Sequence, residues 1–493
     1  MLMLENRSFD HMLGFSGIAG IDAVTGSRTT VDGLVGRLCF NTDPTTGRAV
    51  VAGTPADYVI PVADKDPCHE FAGVVEQLCG PDAVYRPQAG YPPIDNSGFL
   101  SGYRGTGTAH PEKIMRCFAP AQLPVLNALA REFAICDRWF SALPGPTWPN
   151  RLFVHAASSG GLDDSPSDWD TVSSYLLDGY HFDNGTIFDR LSDNHIAWEV
   201  VAGDEFPQVL ALRGMGLNLL AGHLSSAATF SERLRDPGYR PRYVFIEPDY
   251  GDVLLGAGDF RGGNSQHPLA DVTSGERLVK TVYEAIRNSP HWEHSLLVIT
   301  YDEHGGFYDH VAPPPAVPPG DRVLFPRNNH HGFTFDRLGV RVPAVVISPL
   351  IPRGTIDHTV YDHSSVPATV ARLFGLPPLT HRDSAANDLL HLLALPEPRR
   401  DTPPTLPEPA DSGISEPRDA VQAMTPPVVT DAEHPAAFWG AFAVATRRHL
   451  TVAPVEHHQR IRQRASQVSD PTEALTLIAQ ARTAVRAQRD GKS

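Results

Sequence analysis

The sequence predicts an α/β fold with a mostly parallel sheet flanked by helices, followed by a helical C-terminal extension. Three observations carry this reading. Apolar runs of strand length alternate with helical patterns as far as residue 393, the signature of βα crossovers. The chain has 493 residues, 41% hydrophobic and 20% charged, enough for one large α/β body or two to three domains. Beyond residue 394 the alternation stops in a Pro-rich stretch, and an Ala- and Arg-rich segment of helical periodicity follows.

In chain order, the apolar Met1–Leu4 is a short first strand that breaks off at Glu5 and Asn6. From Asp32 to about His110 the chain is rich in Gly, Pro and Asp with little periodicity, and reads as a long excursion over one end of the sheet. Helical patterns follow at Gln122–Phe133, Arg151–Ser158, Ile187–Asn194, Leu224–Leu234, Ser274–Asn288 and Ser364–Phe374. Strand patterns rich in Val, Ile and aromatic residues lie at Ala197–Val201, Tyr243–Glu247, Ser295–Tyr301 and Ala344–Ser348. The expected organisation is a body over 1–393, an extended linker without a core over 394–430, and a helical extension over 431–493, which is either packed on the body or a protein contact.

The formal charge of −16 excludes nucleic acid as a main partner, although a local cationic or metal-lined cleft still accepts one phosphate. No run of about 18 apolar residues occurs, so no transmembrane segment is expected. Met1–Leu4 is too short for a signal-peptide core and lacks a basic flank; as written, the chain is expected in the cytoplasm, or exported if its true start lies upstream. The five cysteines contain no C-x-x-C pair, so zinc-finger and thioredoxin chemistry are excluded; isolated thiols are expected, with a Cys68–Cys79 bridge as the alternative.

In open α/β sheets ligands bind beyond the carboxyl ends of the strands. Polar residues directly after an apolar run are therefore the candidates for chemistry. Glu5 and Asn6 follow the first run, and Asp302 and Glu303, then His304-Gly305-Gly306, follow Ser295–Tyr301. Together they offer hard oxygen ligands suited to a divalent cation. At Gly145-Pro146-Thr147-Trp148-Pro149-Asn150 a Pro/Gly turn delivers one hydroxyl to the start of a helix. Taken alone, Thr147 is read as an N-cap. The same geometry places a hydroxyl beside helix N-terminal amides that favour a phosphate. No G-x-S-x-G, P-loop or strand-linked G-x-G-x-x-G occurs, which weighs against an α/β-hydrolase and against nucleotide binding. Of the 22 histidines, His69, His267, His304, His310 and His363 lie near turn chemistry.

The segments ENRSFDHMLG (from Glu5), GPTWPNRLFVHAASSG (from Gly145), YVFIEPDY (from Tyr243), YDEHGGFYDHVAPP (from Tyr301) and YDHSSVPATVARLFGL (from Tyr361) resemble the phosphoesterase family of bacterial and plant non-specific phospholipases C and related acid phosphatases. The resemblance runs in order from Glu5 to about Leu376. It implies an alkaline-phosphatase-like core, making 1–393 the catalytic domain. It also implies one divalent metal ion (Ca, Mg, Mn or Zn) at Glu5, Asn6, Asp302 and Glu303, and Thr147 as the nucleophile that forms a phosphothreonine. His69, His267, His304 and His363 become candidate phosphate-binding or proton-transferring residues, and Trp148, Asn150 and His310 candidate substrate contacts. The implied substrate is a phospholipid, cut to diacylglycerol and a phosphorylated headgroup. The alternatives are an acid phosphatase acting on a small phosphate ester and a non-catalytic phosphate or lipid-headgroup binder.

The chain departs from the family in three places. Trp148 stands where the family has His after the nucleophile, only four residues precede ENRSFDH, and the chain ends in the Pro-rich stretch and helices rather than β-rich domains. A lipid enzyme needs an apolar rim, for which Phe9, Trp139, Trp148, Phe307 and Tyr308 are candidates, each equally plausible as core.

Overall fold

The structure is a computed structural model. It describes residues 1–61, 64–166, 179–204, 207–215, 222–254, 257–323, 328–414 and discontinuous stretches between 445 and 484. Fourteen strands occur among these. They are β1 (Leu2–Leu4), β2 (Ala19–Asp22), β3 (Arg28–Thr30), β4 (Phe40–Thr42), β5 (Ala49–Val51), β6 (Ala134–Cys136), β7 (Trp198–Ala202), β8 (Leu224–Ser226), β9 (Tyr243–Glu247), β10 (Asp252–Leu254), β11 (Ala257–Asp259), β12 (Leu297–Tyr301), β13 (Ala344–Ile347) and β14 (Thr355–Asp357). Ten of them form one sheet in the order β3-β2-β14-β6-β13-β12-β1-β9-β7-β8, while β4–β5 and β10–β11 are separate hairpins.

The three-residue β1 lies between β12 and β9 and is parallel to both, with Leu2 opposite Ile299 and Leu4 opposite Tyr301. A strand buried on both faces carries a continuous apolar run, and β1, β12 and β13 are buried throughout. β13 runs antiparallel to both its neighbours, β12 and β6. Helices cover the sheet, among them Pro124–Glu132, Thr147–Ala156, Val272–Arg287 and Ser365–Phe374, and the core is continuous from Met1 to Leu406.

The excursion is ordered. It carries the β4–β5 hairpin and the helices Phe71–Cys79 and Phe99–Gly105, packed around a second core of Val74, Leu78, Phe99, Leu100 and Tyr103. Phe307 and Tyr308, just beyond β12, belong to that core, so the excursion caps the carboxyl end of the central strands. All five cysteines are free thiols.

Two expectations are corrected. Leu224–Leu234 is not one helix: Leu224–Ser226 forms β8, Ser226 caps the following turn, and the helix is Ala227–Arg233. Nor is 394–414 an extended linker. Leu406 is buried in the main core, and the Tyr283 hydroxyl donates to Pro403 O (2.7 Å), Lys280 Nζ to Leu406 O (2.7 Å) and the Ser412 hydroxyl to Asp271 Oδ2 (2.5 Å). Proline cannot enter a ladder, but its carbonyl accepts, and the helix Val272–Arg287 supplies the donors. The rest of the expected linker, 415–430, and 431–444 of the extension lie outside the described residues. Further on, His458–Gln467 is helical. No helix among the described residues is long and apolar enough to cross a membrane.

Candidate active site

The parallel register of β1 and β12 is what builds the site. With Leu4 opposite Tyr301, the next residues of both strands, Glu5-Asn6 and Asp302-Glu303, emerge side by side at the carboxyl end. The pairing continues past the strands through Asp302 N to Leu4 O (3.1 Å) and Arg7 N to Glu303 O (2.9 Å). Asn6 sits at φ 56°, a left-handed conformation that Asn tolerates better than most residues. This conformation directs its N–H to Asp302 Oδ1 (2.9 Å). Gly305 is required by the same contact: a Cβ there would lie 2.1 Å from Asn6 O, and its φ is +62°.

Thr147 arrives from a third element. It is the first residue of the helix Thr147–Ala156, whose N-cap is Pro146, so the N-cap reading is overturned: the extended Pro146 occupies that position and the threonine hydroxyl is not used for capping. Its Oγ1 instead donates to Asn6 Oδ1 (3.3 Å).

Arg151, one helical turn after Thr147, lies between the carboxylates, with Nε 3.0 Å from Asp302 Oδ2 and Nη2 3.7 Å from Glu5 Oε1. Its guanidinium also lies over the Tyr250 ring (5.4 Å). Gln208 Nε2 donates to Glu5 Oε1 (3.2 Å). Even so, four buried polar atoms around this cluster have no partner: Glu5 Oε2, Glu303 Oε1, Asn6 Nδ2 and Gln208 Oε1. Burial pushes Glu5 up to about 8, with Arg151 opposing and Asp302 adding to the rise. Burial likewise lifts Glu303 to about 8, with His69 opposing and Asp302 adding. Arg151 and His69 face three carboxylates here, so the cluster stays short of positive charge.

A profile of the phosphoesterase family matches residues 1–377. The chain belongs to the phosphoesterase family. This phosphoesterase is 38% identical over 433 residues to non-specific phospholipase C6 of Arabidopsis thaliana, covering 85% of this chain and 76% of that protein. It is 27% identical over 449 residues to phospholipase C B of Mycobacterium tuberculosis, covering 83% and 80%. Among solved structures, an alkaline phosphatase superfamily protein of Vibrio parahaemolyticus matches at a TM-score of 0.33 with 13% identity, over 55% of this chain and 65% of that one. The phosphoesterase is a phosphoric ester hydrolase.

The histidines divide. His69 meets the carboxylates: burial opposes its charge, but Glu303, Asp66 and Glu70 outweigh burial and lift it to about 9. Its Nδ1 donates to Pro67 O (2.9 Å), which leaves Nε2 to meet a ligand. His267 stacks on Phe260 (3.5 Å between ring centres) with Nε2 3.6 Å from Asp66 Oδ2, and burial holds it well below the usual range, hence neutral.

The other three assigned histidines are spent elsewhere. His363 donates from Nε2 to Asp302 O (2.5 Å) and accepts the Trp139 indole N–H at Nδ1 (3.3 Å), so it braces the backbone behind Asp302. His304 donates from Nε2 to Gln77 Oε1 (2.8 Å) with its Nδ1 3.4 Å from Glu303 Oε2, and burial lowers it to about 3. His310 lies in a separate ionic network with Asp10 (2.7 Å) and Asp32 (3.3 Å). There Asp10, Asp309 and His310 bring three ligating atoms within 4.8 Å of one another. Arg341 already donates to Asp10 (3.0 Å) and Asp309 (2.8 Å), so a fixed cation supplies the charge that a metal would bring.

Asn150 is a clamp rather than a substrate contact. Its Oδ1 accepts Leu143 N (3.1 Å), and its Nδ2 donates to Gly145 O (2.8 Å) and Pro146 O (3.0 Å), locking the turn that delivers Thr147. Trp148 is half-buried beside Tyr180 (6.4 Å). Of the candidate apolar rim, Phe9, Trp139, Phe307 and Tyr308 are buried core.

Sequence reasoning missed Arg151, Asp66 and Gln208. Arg151 was legible as Thr147 plus four, the same helix face one turn on. Asp66, whose Oδ1 is buried without a partner and which burial raises to about 6, stands in an excursion with no pattern to single it out.

Proposed function

We propose that this phosphoesterase cleaves glycerophospholipids in the manner of a phospholipase C, through a phosphothreonine on Thr147. The observation that carries the reading is the threonine hydroxyl. It starts a helix without capping it, it is half-buried, and it points at Asn6 beside two buried carboxylates that each have an unpartnered oxygen. The relatives named phospholipase C support the substrate class.

The donor set fits a divalent cation. Glu5, Asn6, Asp302 and Glu303 are hard oxygen donors, two of them with orphaned oxygens and both of those held above the usual carboxylate range by burial. Bound there, such an ion supplies Lewis acidity to a phosphoryl oxygen and eases deprotonation of a neighbouring hydroxyl. The rest is done by the chain. Thr147 gives up its hydroxyl proton to solvent as Oγ attacks phosphorus, the P–O bond to glycerol breaks, and diacylglycerol leaves once its oxygen takes a proton. His69, charged at neutral pH, supplies that proton from Nε2. The free amides at the start of Thr147–Ala156 face the phosphoryl oxygens. Water then displaces Thr147 Oγ from phosphorus and releases the phosphorylated headgroup.

The test compares wild type, Thr147→Ala and Thr147→Ser on phosphatidylcholine and on a chromogenic phosphate monoester. Thr147→Ala is expected to lose turnover by about three orders of magnitude or more. It should unfold within about 0.5 kcal/mol of wild type, since no cap is lost. Thr147→Ser should keep measurable activity, and acid-quenched wild type should carry a phosphoryl group on Thr147. Unchanged activity in Thr147→Ala would remove the nucleophile. A preference for the monoester would move the reading to a phosphatase.

A further inference from the structure

The rim residues expected to face lipid are mostly buried, yet apolar surface is concentrated elsewhere. Ten large hydrophobic residues are exposed among the described residues, and four of them, Val35, Leu38, Phe40 and Val51, fall within one stretch of the excursion. Scattered exposed apolar residues need no explanation, whereas a contiguous group does.

The group is contiguous because of strand geometry. In the β4–β5 hairpin Phe40 pairs with Val51 and Thr42 with Ala49, so these four side chains share a face, and all four residues are exposed. Leu38, two residues before Phe40 and 76% exposed, extends the same alternation. The opposite face is anchored. The Asn41 side chain accepts Leu100 N (3.1 Å) and donates to Asn96 O (2.9 Å), while Val50, Ala52 and Cys39 pack on the second core with Phe307 and Tyr308. The outward face is therefore not a frayed strand. It is a hairpin held firmly from behind on the core shared with the loop that follows Glu303.

Charge decides what the face fits. Between Gly33 and Gly53 the charged residues are Arg37, Asp43 and Arg48. Asp43 is buried and paired with Arg104, and Arg37 is exposed but paired with Asp32 (2.6 Å), whereas Arg48 is exposed where the chain enters β5. On a chain of net charge −16, this hairpin shows solvent only apolar, neutral polar and cationic groups. A water-facing hairpin normally carries charge of both signs, which also blocks edge pairing. An apolar face with an exposed arginine at its turn end matches a phospholipid surface, where acyl chains take the apolar groups and a headgroup phosphate takes the guanidinium group.

We infer that the outward face of the β4–β5 hairpin, Leu38, Phe40 and Val51 with the exposed Arg48 at its turn end, docks the enzyme on phospholipid surfaces. The inference rests on the lipid-substrate reading for its purpose, but its test does not. Leu38→Ser/Phe40→Ser and, separately, Arg48→Glu are compared with wild type in sedimentation with phosphatidylcholine vesicles, with and without phosphatidylserine. Turnover is measured on the same vesicles and on monomeric short-chain phosphatidylcholine, and oligomeric state by light scattering.

The double variant should bind vesicles roughly tenfold more weakly and lose vesicle turnover in proportion. Arg48→Glu should lose roughly threefold, chiefly on the anionic vesicles. Both should melt as wild type does and turn over the monomeric lipid within about twofold of it, because no hairpin residue touches the site. Wild-type vesicle binding in both variants overturns the inference. So does a wild-type dimer that the double variant breaks, which would assign the face to a second copy. A wild type that binds vesicles but does not cleave monomeric lipid would defeat the substrate reading and leave the docking surface standing.

Discussion

Arg151 shows how one residue joins the parts of the site. Its position on the helix is set by Thr147, and its guanidinium reaches Asp302 and Glu5. Thr147 and two of the carboxylates are therefore held in one rigid arrangement. Buried charge without a partner is costly, and removing one partner of such a pair destabilises by about 3–5 kcal/mol. Arg151→Met is expected to lower the melting temperature markedly in chelator, and excess divalent cation should recover part of the loss, more than it raises wild type. A melting temperature indifferent to divalent ions in both proteins would count against a cation at Glu5, Asn6, Asp302 and Glu303. Its place one turn after Thr147 was legible in the sequence, but its role was not, because its partners Glu5 and Asp302 lie 146 and 151 positions away.

At the level of elements, the strand ends carry the site, and their close approach is the constraint. Gly305 must let its backbone pass against Asn6, and alanine there meets both a 2.1 Å contact and a left-handed φ. Gly305→Ala should cost more than about 2 kcal/mol in urea unfolding and displace Glu303, lowering kcat more than KM. An equal loss of stability with wild-type kcat would show that Glu303 is not positioned by this turn. The ends of β1 and β12 were legible as abrupt changes from apolar to acidic residues, and their side-by-side placement follows from the parallel register. The short edge strand β8 was not legible, because Leu224–Ser226 also continues a helical pattern and only pairing with β7 decides between the two. The 394–414 strap was misread for a related reason: its stability comes from donors on Val272–Arg287, not from its own composition.

Across the whole molecule, an ionic network ties the excursion to the body. His310 bonds Asp10 and Asp32, Arg37 bonds Asp32, and Arg341 bonds Asp10 and Asp309. Burial opposes charge on His310, but these carboxylates raise it to about 9. A histidine whose folded pKa is raised stabilises fully below its unfolded value of about 6.5 and loses that stabilisation as pH rises through its folded value. Thermal stability is therefore expected to fall between about pH 6.5 and 9, and His310→Gln should start less stable and show a flatter fall. A wild-type melting temperature constant over that window would remove His310 from the account. This network was invisible to sequence reading, which placed His310 in the substrate cleft because it follows the DEHGG segment by a few residues.

By itself, the sequence determined the α/β class, the two acidic strand ends, the hydroxyl at a helix start and the family. These follow from local patterns: periodicity, abrupt polarity changes and short ordered motifs. Only the tertiary structure decided which residues those ends bring together. It drew Arg151 and Asp66 into the site. It also placed His363 behind Asp302, turned Asn150 into a clamp for the Thr147 turn and moved His310 into a separate network. It turned the hairpin's apolar side outward as well, since a strand's alternation shows that two faces differ but not which one meets the core. The reason is common to all of these. A side chain's charge state and partners depend on burial and on neighbours distant in the chain, and neither is a local property of the sequence.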